Sequence, residues 1–379
     1  MKKFRWISVV LAATMLAGCT SPLSKDSKEV VTPDKTDGDA TIIPNTKVDG
    51  QYYRTLLPYK ESSTRGLIVS NIYSKYDVKE VESGLTRISR KNYDPEKYFF
   101  QEGQYLDKEA VSSWLARSNQ AEGGLNPSDK GLSAEKRAKE APVYLAHIVE
   151  QNYLTQSAEN KVKLSGVSIG LALNSVYYYQ KEAYGATYEE PISDAKILEY
   201  GKKTANEIVK RMRKMEGLAN VPITVGLFKQ ESRAAIIPGT YITFGEAGEG
   251  KKSIGDWKNI KEEYLLFPMS NPTDKYKEIN DNFQKFKTNI NDYFTNSANI
   301  IGTGFYTQDK VQTLKVDIPI KFFGSSEITG FTQYASSEVM KQFPKDLKVE
   351  VSITSVNGPE ALIVKERNAT ETYIHLYND

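Results

Sequence analysis

The chain has 379 residues, of which 39% are hydrophobic and 26% charged, and its formal net charge is +2. This is the composition of an ordinary globular protein, and it excludes a general nucleic-acid binder, which would show a basic stripe or a strong positive excess. Cys19 is the single cysteine, so the chain can form no internal disulfide, Cys-based metal site or redox pair.

Residues 1–18 read as a leader. Lys2, Lys3 and Arg5 stand without a nearby acid, and an apolar run follows over residues 6–17. A basic head before a short apolar stretch is the pattern of a secretory signal peptide. Spanning a bilayer would take about 20 apolar residues. The run ends Leu16-Ala17-Gly18-Cys19. Small residues let an extended chain enter a peptidase, and a thiol directly after the cut can be alkylated to a diacylglyceryl thioether. The expectation is cleavage between Gly18 and Cys19, lipidation of Cys19, and a protein held on the extracellular face of the cell membrane. One acyl chain binds marginally, at about 0.8 kcal/mol per buried CH₂, whereas two hold firmly. Loss of the leader takes away three positive charges and no negative ones, leaving a formal charge of −1.

Residues 19–49 are expected to be a disordered tether. They are rich in Ser, Thr, Lys and Asp and contain no aromatic residue, so they bury too little apolar surface to offset chain entropy.

From Gly50 the texture changes. Residues 51–57 and 66–69 read as strands. Residues 77–90 read as a helix with Val78, Val81, Leu85 and Ile88 on one face. Asp107 is the expected cap of a helix to about residue 118, with Leu106 and Val111 as its hydrophobic staple. Gly, Asn and Pro make 119–133 a loop. Long strands are expected at 143–154 and 162–180. The clearest helix spans 191–216, on a stripe of Ile197, Tyr200, Thr204, Ile208, Met212 and Met215. Strands follow at 221–228, 234–244 and 263–267. A helix at 273–294 carries Tyr276, Ile279, Phe283, Phe286, Ile290 and Tyr293 on one face. Strands at 300–307 and 311–323, a helix at 327–343, and strands at 347–355, 360–365 and 371–376 close the chain.

The pattern predicts an α+β fold with antiparallel sheets and packed helices. Residues 50–270 form one α+β domain, of which 50–133 is a separable part, and 271–379 form a second. Residues 143–267 and 300–376 share the order strand, strand, helix, strand, strand, strand. Two readings stay open here, a remote duplication or the chance recurrence of common hairpins, since no residue motif repeats.

Several short patterns suggest chemistry and stop short of it. Residues 245–251 (Gly-Glu-Ala-Gly-Glu-Gly-Lys) have the spacing of a phosphate loop, but Lys252 stands where Ser or Thr is needed, and Glu246 and Glu249 would repel phosphate. Ser133-Ala134-Glu135-Lys136 and Ser355-Val356-Asn357 match two parts of the penicillin-recognising set, without its Lys-Thr-Gly strand. His147 and His375 are the only histidines, each inside a strand pattern, and neither has the companions of a triad or zinc site. The adjacent pairs Glu189-Glu190 and Glu262-Glu263 read as solvated charge, because neighbours on a strand face opposite ways. No cofactor and no metal is implied. Among the 24 tyrosines, the run Tyr177, Tyr178, Tyr179 is the candidate binding surface; the plainer reading is strand-forming tyrosine on a sheet face.

The Leu-Ala-Gly-Cys end of the leader, the tether, Gly50-Gln51-Tyr52-Tyr53-Arg54, Arg65-Gly66-Leu67-Ile68-Val69 and the stretch from Val167 to Tyr179 together resemble the CamS sex-pheromone-precursor lipoprotein family of Gram-positive bacteria. The resemblance implies a mature protein with no assigned activity. It also implies that a leader fragment ending before the lipidated cysteine can serve as a peptide signal promoting conjugative plasmid transfer. Here that fragment is Ala12, Ala13, Thr14, Met15, Leu16, Ala17 and Gly18; it is smaller than the Ile- and Phe-bearing signals of the family and carries a polar Thr14. The expected function is a membrane-anchored extracellular binding or accessory module, not an enzyme, with the membrane itself as partner through the diacylglyceryl anchor. The alternative is a carboxylate-based extracellular cell-wall hydrolase.

Overall fold

The computed structural model describes residues 28–30, 41–44, 48, 50, 52–157, 161–294, 299–321 and 324–377. Gly18, Cys19 and the segment from Ala12 to Gly18 lie outside them, as does most of the expected tether.

In chain order the elements are β1 (Lys28–Val30), β2 (Thr41–Ile43), β3 (Arg54–Thr55), α1 (Arg65–Asn71), α2 (Lys75–Ser89), β4 (Phe99–Glu102), α3 (Lys108–Leu115), α4 (Ala134–Glu140), β5 (Leu145–Gln156) and β6 (Val162–Asn174). Then come β7 (Val176–Gln180), β8 (Thr187–Pro191), α5 (Asp194–Met212), β9 (Ile223–Gln230), β10 (Thr240–Ala247) and β11 (Trp257–Asn259). The last part holds β12 (Glu262–Phe267), α6 (Asp274–Tyr293), β13 (Ile301–Thr307), β14 (Lys310–Pro319), α7 (Ser325–Gln342), β15 (Lys348–Ser355), β16 (Gly358–Lys365) and β17 (Tyr373–Leu376).

The fold is α+β, built on a seven-stranded sheet ordered β11-β10-β9-β6-β5-β4-β3 and a six-stranded sheet ordered β12-β13-β14-β15-β16-β17. Pairing is antiparallel except for β3–β4, β6–β9 and β14–β15. Each of these parallel pairs is joined through intervening helices, as parallel neighbours require a crossover: α1 and α2 in the first case, α5 in the second, α7 in the third. From β4 to β11 and from β12 to β17 the strands pair in the same sequential order.

The two sheets differ in how they are covered. In β6 every residue from Gly166 to Asn174 is buried. On one side Val81, Leu85 and Ile88 of α2 pack with Ala172, Phe228 and Tyr241. On the other, Ile197, Ile208 and Met212 of α5 pack with Leu171, Leu173 and Val225. Burial on both faces explains the near-continuous apolar run. In the second sheet Leu314, Val316, Ile318, Val349, Val351 and Ile353 face Phe283, Phe286 and Ile290 of α6 and Phe331 and Val339 of α7. The alternate positions Lys315 and Asp317 are exposed, the pattern of a sheet covered on one face.

Several expectations change. Residues 66–69 lie within α1, which turns only Ile68 and then Ile72 inward; with so short an apolar stretch, strand and helix look alike in sequence. Among the described residues of 51–57, Arg54 and Thr55 pair with β4 and Leu57 forms an isolated bridge with Ile42, and the 162–180 run is broken at Ser175 into β6 and β7. The strand expected at 263–267 is β12, which pairs with β13 in the second sheet. Strands β1, β2, β4, β8 and β11 and helix α4 were not expected from the sequence. Only Ala138 of α4 is buried, so it has no apolar stripe to read. Its start is marked by Ser133, whose Oγ accepts the Lys136 N–H at 3.3 Å. The Ser-x-x-Lys pattern is thus a helix cap. Asp107 caps α3 as expected, accepting the Ala110 N–H at 2.7 Å.

Tyr241 is fully buried, and its hydroxyl donates to the Val81 carbonyl at 2.7 Å. Its ring fits only because Gly170 and Gly226, paired across β6 and β9, carry no side chain. A Cβ on Gly170 would lie 2.4 Å from the hydroxyl, and one on Gly226 would lie 2.7 Å from the ring. Gly170→Ala is expected to lower stability in chemical denaturation by about 1–3 kcal/mol, the usual cost of overpacking; a midpoint equal to wild type would contradict this packing.

Candidate functional site

Helix α2 has two working faces. Val81, Leu85 and Ile88 seal the first sheet, and Tyr76, Glu80, Ser83 and Arg87, spaced by three or four, line another flank. That flank meets the uncovered face of the second sheet. Between them lies a cavity of about 820 Å³ lined by Tyr52, Lys75, Tyr76, Lys79, Glu80, Ser83, Arg87, Pro238, Tyr264, Thr303, Phe305, Thr313, Lys315, Lys348, Glu350, Glu366 and Arg367. This size is within the range of small-molecule and peptide-side-chain sites.

Arg87 holds the end of the cleft. Its Nη2 donates to Glu80 Oε1 at 2.6 Å, while Nε and Nη2 grip both oxygens of Glu262 at 2.9 and 2.6 Å. The Glu80 and Glu262 side chains are 7% and 8% exposed. Tyr264 donates to the other Glu80 oxygen at 2.7 Å, and the guanidinium lies 4.6 Å from the centre of the Phe305 ring. Burial alone would lower the Arg87 pKa; the Glu262 and Glu80 contacts outweigh it and hold the pKa above its ordinary value. Burial, then Glu80, pushes the Tyr264 hydroxyl up, so it stays a donor.

Nearer the opening, Lys348 Nζ lies 2.6 Å from Glu366 and 3.7 Å from Glu350. Lys315 is 3.8 Å from Glu350. Among the described residues no carboxylate lies within ion-pair distance of Lys75 or Lys79. Among the described residues the lining holds six cations, Lys75, Lys79, Arg87, Lys315, Lys348 and Arg367, against the three carboxylates Glu80, Glu350 and Glu366, with Glu262 paired to Arg87 as a fourth. These carboxylates are engaged by cations and by Tyr264. The hydrolase alternative therefore finds no support in this cleft.

Glu262 was expected as solvated charge and is instead buried on Arg87. Its neighbour Glu263 turns the other way, to Lys275 at 2.8 Å and the Tyr276 hydroxyl at 2.6 Å. No local signal marks this, because Arg87 is 175 residues away in sequence. The polar stripe of α2 was the available sign, alongside its apolar one.

The tyrosine run forms β7, paired with β8. The Tyr177 hydroxyl accepts from Arg117 at 3.3 Å, Tyr178 accepts the Arg233 N–H at 2.9 Å beneath its guanidinium, and the Tyr179 ring stacks 6.2 Å from Tyr177. The three line an open depression with Arg137, Lys181 and Arg233. The histidines sit on different sheets. His375 lies on β17, edge-on to Tyr377 at 4.6 Å. His147 lies on β5, 2% exposed, with Asn71 at 3.5 Å. The 245–251 loop offers carbonyls rather than N–H groups: Arg213 donates to the carbonyls of Ala247, Gly248 and Lys251, and to those of Leu218 and Val221. Among the described residues no cluster of three or more His, Cys, Asp or Glu could hold a metal ion, and no helix is long and apolar enough to cross a membrane.

Burial pushes the His147 imidazole down to about 4. A depressed value means stability present in full above the unfolded value near 6.5 and lost as pH falls toward 4. His147→Gln is expected to flatten the denaturation midpoint across that window relative to wild type; an unchanged slope would contradict a neutral buried imidazole.

The sequence pattern of the CamS family, described as CamS sex pheromone cAM373 precursor, matches residues 59–371. No curated protein matches the chain. Among solved structures, a sex pheromone precursor from Lactobacillus salivarius subsp. salivarius is similar, with 30% identity and a TM-score of 0.82 over 88% of this chain and 98% of that one. The C-terminal domain of the sex pheromone staph-cAM373 precursor from Staphylococcus aureus is 32% identical, with a TM-score of 0.71 over 82% of this chain and 99% of that one.

Proposed function

The chain belongs to the CamS family of sex pheromone cAM373 precursors, and on that footing we propose that it is a lipoprotein, anchored through Cys19 on the extracellular face of the membrane, whose folded part is a binding module. The observation that carries the binding reading is the cleft of about 820 Å³ between α2 and the open sheet. It joins aromatic walls to a surplus of cations, and its buried end is held by a paired charge network. The anchor reading is supported by the leader pattern and the lone cysteine after it. A lipid anchor and a cleft in one chain fit a protein that presents or captures a ligand at the cell surface.

Two tests follow. Mass spectrometry of native protein is expected to show a diacylglyceryl-modified N-terminal Cys19, and Cys19→Ala is expected to leave the protein unmodified and no longer lipid-held; an unmodified thiol in native protein would end the anchor reading. For the cleft, the protein is titrated against wall fragments and against peptides of acidic, neutral and basic character. At least one class is expected to bind saturably and to be blocked by Thr303→Trp, which fills the cleft from the sheet side. Saturable binding to none of them would end the binding reading.

The relatives are called pheromone precursors, and a second reading follows from that name: the segment from Ala12 to Gly18 is the released product. Synthetic Ala-Ala-Thr-Met-Leu-Ala-Gly added to plasmid-bearing recipients decides it. Raised plasmid transfer supports the reading, and silence ends it.

A further inference from the structure

We propose that the cleft between α2 and the second sheet takes an extended acidic peptide segment of a partner protein. The inference rests on the reading of this cleft as a binding site and names the chemistry of what fills it.

The charge surplus is distributed on both walls. Lys75 and Lys79 project from α2, and Lys315 projects from the opposing face of β14, its side chain 58% exposed. In an extended chain successive side chains point to opposite sides. Acidic residues along such a segment would alternate between the helix wall and the sheet wall and meet a lysine on each.

The rest of the lining favours a peptide over a phosphate polymer. Glu350 and Glu366 stand beside Lys348 at 3.7 and 2.6 Å, where a dense run of phosphates would meet like charge. A peptide carries backbone N–H groups that such carboxylates accept, and its charges are spaced by neutral residues. Tyr76, 41% exposed, supplies apolar surface for the intervening side chains, and Tyr52 is 54% exposed. Aromatic rings are enriched at protein interfaces. Arg87 already holds two carboxylates through Nε and Nη2, and the lysines act as point charges along the rest of the cleft.

The test is fluorescence anisotropy on the full chain in detergent micelles. The probes are a fluorescein-labelled random copolymer of glutamate and tyrosine, labelled poly-lysine, and polyphosphate matched in charge. The copolymer is expected to bind saturably, and more weakly as salt is raised. The double variant Lys79→Glu with Lys315→Glu is expected to weaken it by about tenfold or more, since like charges then face each other across the cleft. Lys79→Gln with Lys315→Gln should give an intermediate loss, and unchanged thermal unfolding of either variant shows that the fold is intact. Indifference of copolymer binding to both variants would overturn the proposal, as would tighter binding of polyphosphate than of the copolymer. If the copolymer fails while another ligand binds and is blocked by Thr303→Trp, the acidic peptide is wrong and the cleft remains the site.

Discussion

Arg87 joins two parts of the chain that sequence separates by 175 residues. Its partners are Glu80, about two turns earlier on its own helix, and Glu262, the first residue of the strand that begins the second sheet. A buried ion group of this kind adds little net stability, because desolvation offsets most of the attraction, yet losing one member leaves an uncompensated charge at a cost of about 3–5 kcal/mol. Its weight is therefore geometric. It sets α2 against the second sheet at the place where the cleft ends, and Tyr264 and Phe305 close the same corner with a hydrogen bond and a ring face. Helix α2 consequently serves as cover of one sheet and wall of the cleft.

The cleft exists because the two sheets, alike in strand order, are covered unequally. The first is packed between α2 on one side and α5 on the other. The second has α6 and α7 on one face and leaves the other open, so only its edge beside α2 is roofed. Buried cations that have no carboxylate partner among the described residues tie down the helix-to-strand turn in each half. Arg213 gives five hydrogen bonds to carbonyls after α5 and in the 245–251 loop. Lys365, fully buried, donates to the carbonyls of Pro344, Lys345 and Leu347 after α7. Burial pushes the pKa of both down. These contacts satisfy loop carbonyls that burial would otherwise leave without a donor.

Much of the fold was legible where periodicity was strong. The stripes of α5 and α6 and the alternation of Leu314, Val316 and Ile318 are one-face signals that tertiary packing kept. The signal failed where burial was sparse, as in α1 and α4, and where the deciding contact was remote. Glu262 looks like half of a solvated acidic pair until Arg87 is beside it. Tyr177, Tyr178 and Tyr179 stood out by composition, yet each is engaged by a protein neighbour. The cleft residues are scattered from Tyr52 to Arg367 and share no local motif, so only the fold brings them together.

The most direct test of the account is hydrogen–deuterium exchange of the full chain with and without a saturating glutamate–tyrosine copolymer. The account requires new protection in α2 and in the strands β13 to β15. Protection confined to β7 and β8, around the tyrosine run, would place the binding surface elsewhere and contradict it.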